Sequence, residues 1–159
     1  MTTLNGLPAH VLLIHFIVVL APLTAVLAIL CALWPAARRR LVWLVAVLAL
    51  AVTALTPLTA EAGEWLEDRV EKTAALETHE DLGKTMLYFA IGLLVAAVLL
   101  IIAHRRDVRD AEGKPLVAVL ISVLVIALSV GTIVQVMRIG ESGARSAWAD
   151  AVSAPENKD

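Results

Sequence analysis

The chain has 159 residues, 60% of them apolar, a formal charge of −2 and a mean hydropathy of +0.84. A chain this oily cannot cover its apolar surface with its own polar side chains, which excludes an ordinary water-soluble globule and calls for lipid. Cys31 is the single cysteine, so neither an intrachain disulfide nor a cysteine metal cluster can form.

The first predicted span runs from about residue 8 to residue 34. Residues 1 to 37 hold no Lys or Arg, so the positive stretch of a cleavable signal is missing and the run reads as a retained span. Pro8 suits a first helical turn, and Trp34-Pro35 should end the helix, because proline pushes its predecessor away from the helical region. Pro22 inside the span predicts a kink. Arg38, Arg39 and Arg40 follow, then a second span over 41–59. A third span covers 85–103 and a fourth, opened by Pro115, covers 115–137. Four uncharged runs of this length predict an all-α, four-helix transmembrane bundle within one domain, 1–150, with 151–159 as a disordered polar tail.

The stretch from Thr59 to Leu87 interrupts the oil. Ala62, Leu66, Val70 and Ala74 repeat every four residues, while Glu61, Glu64, Asp68 and Glu71 line another face. That pattern predicts a short extracytoplasmic amphipathic helix, over the bundle mouth or prolonging span two. Thr78 and Asp81 are the expected caps of the third helix. The loops after spans one and three hold seven Lys/Arg and three acids, whereas residues 60–84 hold three Lys/Arg and eight acids. By the positive-inside rule the basic loops should be cytoplasmic, with the acidic stretch and both termini outside the cell membrane.

Polar side chains within the spans collect toward the predicted outer half. Thr53, Thr56 and Thr59 are three apart on span two, as are Ser129, Thr132 and Gln135 on span four. Singly, each can bond its own helix; together they suggest a polar pocket opening outward. Gly92 with Ala96, and Ala127 with Gly131, have the small-xxx-small spacing of close helix contacts. His10 and His15 lie five residues apart, about 140° around one helix, so they cannot readily share one ion. His15 lies about 7.5 Å deeper and is expected to face protein. His104, before Arg105 and Arg106, reads as an interfacial cation at a helix end.

His10, His79, Glu61, Glu64, Glu80 and Glu141 could converge at the outer mouth. Imidazole with carboxylate suits a divalent transition metal, with His10, His79, Glu61, Glu64 and Glu141 as its donors. Two histidines from different helices could instead clamp a haem iron, with His10, His15 and His79 as ligands or their supports. No Glu-x-x-His, Ser-His-Asp order, phosphate loop or Cys-x-x-Cys is present, and the acidic loop argues against nucleic acid.

Three blocks carry a resemblance: Gly6-Leu7-Pro8-Ala9-His10-Val11-Leu12-Leu13-Ile14-His15-Phe16, then Thr59 to Leu66 with Glu77 to Gly83, and finally Arg138 to Trp148. They resemble the signatures of domain of unknown function 2231 (DUF2231), small bacterial membrane proteins, in its actinobacterial-type members. The resemblance implies a four-span bundle with its signatures gathered on one side, and no established activity. The residues therefore leave three readings: a membrane protein binding haem b or a metal for electron transfer, a cofactor-free accessory or structural subunit with a protein partner or as an oligomer, and a transporter or enzyme for a small outer-side substrate.

Overall fold

The computed structural model describes residues 3–4, 7–69, 72–109 and 115–153. Two antiparallel strands of two residues each, β1 (Thr3–Leu4) and β2 (Leu7–Pro8), precede the bundle. Four helices follow: α1 (Ala9–Leu33), α2 (Pro35–Glu67), α3 (Ala74–Arg109) and α4 (Pro115–Ser153). All four are long and apolar enough to cross a membrane. Each packs against its sequence neighbours, α4 closes on α1, and α1 meets α3 across the centre.

The helix limits follow local chemistry. Trp34 alone separates α1 from α2; it is extended, at φ −128° and ψ 104°, with Pro35 opening the next helix. α1 passes through Pro22 and α2 through Pro57 without a break. Packing against neighbours sustains a helix where proline removes one main-chain bond. α3 starts earlier than Thr78 or Asp81 would place it. Its cap is Thr73, whose Oγ1 accepts from the Leu76 N–H at 3.2 Å, and Thr78 donates to Ala74 instead. The amphipathic stretch is no separate helix among the described residues: α2 prolongs span two into it as far as Glu67, for a total of 33 residues, and Ala74 already opens α3. Nothing between Thr59 and Glu67 breaks the backbone ladder, because Gly63 alone costs only about 1 kcal/mol. α4 extends to Ser153, and residues 154–159 of the expected tail lie outside the described residues.

The interior is built from small residues. Ala21, Ala25, Ala28, Val42, Val45, Ala49, Ala96 and Val125 are fully enclosed, while Val19, Val47, Leu50 and Val123 face outward. That inversion suits lipid, where close backbone approach replaces hydrophobic expulsion as the source of association. Gly92 shows the approach: a Cβ there would lie 3.3 Å from Leu128.

The polar positions of the spans serve this packing. Thr53 donates across to the Ala90 carbonyl at 3.1 Å and Thr132 to Phe89 at 3.3 Å. Gln135 donates to Thr85 at 2.7 Å and to the Leu82 carbonyl at 3.1 Å. They tie helices together, while Thr56 and Thr59 donate to their own helix and line the cavity beside His10. At the end where α1 meets α2, Arg38 is buried, bonded through Nη2 to Asp107 at 2.7 Å and through Nη1 to the Cys31 carbonyl at 3.1 Å.

Candidate functional site

His10 and His79 meet at the opposite end, where α2 leaves the membrane-length run and α3 enters it. Their ring centroids are 6.4 Å apart and the ring planes are inclined by 85°. They come from α1 and α3, the two helices that meet across the bundle, so neither is adjacent in sequence or in hairpin to the other.

Each ring is fixed by the helix beside it. His10 Nδ1 lies 2.9 Å from the Thr59 carbonyl on α2. A carbonyl only accepts, so Nδ1 carries the proton and Nε2 keeps a lone pair. One turn further along α2 is Gly63, where a Cβ would lie 3.0 Å from both Cε1 and Nδ1 of His10. His79 repeats the arrangement against α4. Its Nδ1 lies 3.2 Å from the Ile139 carbonyl and 3.0 Å from Ser142 Oγ. The Ser142 hydroxyl donates to Ile139 at 2.9 Å, so its oxygen accepts from His79. Gly143 stands one turn after Ile139, and a Cβ there would lie 3.0 Å from the His79 Cε1.

The two hairpins thus share one construction: a histidine on the first helix, then a carbonyl and a glycine four residues on from it on the second. The sequence carries the repeat in short form. Ala60-Glu61-Ala62-Gly63 answers Gly140-Glu141-Ser142-Gly143, and Leu-x-x-His-x-x-Leu surrounds both His10 and His79. Five identical positions among the eleven compared are too few to announce a duplication, which is why the roles of Gly63, Gly143 and Ser142 escape a reading of the sequence.

Two cavities border the pair, and both are lined by His10, Ala60, His79 and Gly83. The deeper one, about 70 Å³, is walled by apolar side chains of all four helices, among them Ile14, Ile17, Met86 and Val136. The outer one, about 410 Å³, is lined by Glu64, Glu67, Thr73, Glu80, Lys84 and Ser146 among others. Small-molecule sites commonly span about 300–1,000 Å³. Ion pairs rim this mouth: Lys72 with Glu67 at 3.1 Å, and Lys84 with Glu80. The hydrogen bond and charge of Glu67 raise the Lys72 ammonium above its ordinary range.

The other expected site residues are placed elsewhere. Glu61 is exposed, and Glu64 is exposed on the wall of the outer cavity. Glu141 is exposed and paired with Arg145 at 2.6 Å. His15 is exposed too, its Nδ1 turned back to the Val11 carbonyl of its own helix. It faces away from the bundle because it stands about 200° around α1 from buried Ile17, whereas His10, seven residues before Ile17, lies within about 20° of it. Among the described residues, no group of three or more His, Cys, Asp or Glu is gathered as a metal ion would need. The structure unites the two histidines, sets Glu64 and Glu80 on the wall of the outer cavity beside them, and leaves Glu61 and Glu141 exposed outside it.

Fold and geometry together define a class, a four-helix membrane bundle with paired imidazoles at one end. A family model described as a predicted membrane protein (DUF2231) matches residues 6–155, and the chain belongs to that family. No curated protein and no solved structure matches it.

Proposed function

We propose that this protein holds one haem b between His10 and His79 and passes electrons at that end of the bundle. The observation that carries this reading is the pair itself: two imidazoles anchored by Nδ1 to neighbouring helices, with centroids 6.4 Å apart. A metal bound to both Nε2 atoms at about 2.0 Å sets the ring centroids roughly 6.3 Å apart. Haem also explains why two donors suffice. The macrocycle supplies four nitrogens of its own, whereas a bare zinc ion takes three or four ligands from protein. Held by His10 and His79 on either side, such a haem would supply electron transfer. Attachment is non-covalent, because the single cysteine rules out the paired thioether motif.

The charge distribution orients the molecule. Acids dominate residues 60–84 and arginines the opposite loops, so the histidine end and both termini lie outside the cell membrane. The test is an absorbance scan of the detergent-purified protein, before and after haem is supplied. A Soret band lost in both His10→Ala and His79→Ala supports the reading. A colourless wild type with intact helix content overturns it in favour of a cofactor-free subunit, and zinc or manganese by elemental analysis would reassign the pair.

A further inference from the structure

Apart from the buried thiol of Cys31, His15 is the one ionisable side chain between His10 and Arg38, and it is exposed on the outside of the bundle. Its surroundings are apolar: Phe16, Val18 and Val19 beside it are exposed as well. A polar group turned toward acyl chains is costly unless something there answers it. The Val11 carbonyl takes the Nδ1 proton, so Nε2 presents a lone pair outward.

This lone pair stands beside an entrance. Ile14 and Val18 line the apolar cavity that ends at His10 and His79, and Val18 is itself 43% exposed, so that wall reaches the outer surface. Around α1, His15 is about 60° from Val18. A lipid-dissolved ring with a hydroxyl could bond to Nε2 while its edge lay against Val18, roughly 7.5 Å along the helix from His10.

We infer that His15 and the Ile14–Val18 opening form a binding site for a quinol, a lipid-soluble redox carrier whose hydroxyl donates to His15 Nε2. The purpose of the site rests on the haem reading, since it brings such a carrier beside the haem ligand; its geometry does not. Hydrocarbon chains lack such a donor, and phospholipid headgroups carry theirs at the interface, shallower than His15.

The test is photolabelling in nanodiscs with an azido-quinol bearing a short tail, read by mass spectrometry of the labelled peptide, for wild type, His15→Leu and His15→Gln. Labelling is expected within residues 11–18, saturable by unlabelled quinol. It should weaken roughly three- to tenfold in His15→Leu, the loss of about one hydrogen bond, and return in part in His15→Gln, which keeps an acceptor. Equal labelling in all three proteins, labels spread over all four helices, or competition by phospholipid as strong as by quinol overturns the site. The Soret band is recorded on the same samples, so the two claims separate. Labelling at His15 without haem removes the haem reading alone; haem with no His15-dependent labelling removes this one alone.

Discussion

The two ends of the bundle both bury polar groups, and they treat them differently. At the arginine end Arg38 is 7% exposed and bonds Asp107 and the Cys31 carbonyl, although the buried Nδ1 of His104 on the same side has no partner among the described residues. At the histidine end each ring bonds through Nδ1, and neither Nε2 has a partner among the described residues. Arg38 fastens helices, whereas the histidine pair keeps two Nε2 atoms free beside a cavity, the feature on which the proposed function rests. Buried polar groups alone therefore do not mark a site. The unused valence and the adjoining space do.

Mutations can break this contrast, and the largest effects belong at the histidine end. His10→Ala or His79→Ala should each abolish six-coordinate haem while leaving helix content unchanged, as absorbance and circular dichroism would show; retained binding in either removes that residue as a ligand. Gly63→Ala or Gly143→Ala places a methyl 3.0 Å from an imidazole atom, so the ring must shift. Haem affinity should fall about tenfold, roughly 1.4 kcal/mol, in a haem titration. Arg38→Ala should act only on stability. It strands Asp107, which is 34% exposed, so the cost is about 2 kcal/mol, below the range for fully buried pairs, and the absorbance spectrum should not change. Glu141→Gln should do least, under about 0.5 kcal/mol and without effect on haem, because its partner Arg145 is a surface cation.

Acid sharpens the same contrast. A ligating imidazole must be neutral, so protons compete with iron. Acidification should therefore release bound haem, as a Soret-band titration would show.

Much of the fold was legible because hydropathy and proline act locally. The four spans, the break at Trp34-Pro35 and the start at Pro115 need no knowledge of neighbours. The pairing of His10 with His79 could be expected only as convergence at one end. What fixes their rings, the main-chain oxygens of Thr59 and Ile139 and the missing side chains of Gly63 and Gly143, has no side-chain signature. His15 was misjudged because depth was weighed without direction. The stripe of Ala21, Ala25 and Ala28 names the packed face of α1, and following it back through Ile17 reaches His10 and passes His15 by. The carboxylates share only the expected outer side of the bundle, and an acidic helix face points at water unless something draws it inward.

The most direct measurement is electron paramagnetic resonance of the haem-loaded ferric protein. Axial imidazoles inclined by 85° should give a low-spin signal of the strongly anisotropic type, distinct from the rhombic signal of parallel rings. A rhombic low-spin signal, a high-spin signal from a single ligand, or no bound iron at all would contradict a haem held between His10 and His79.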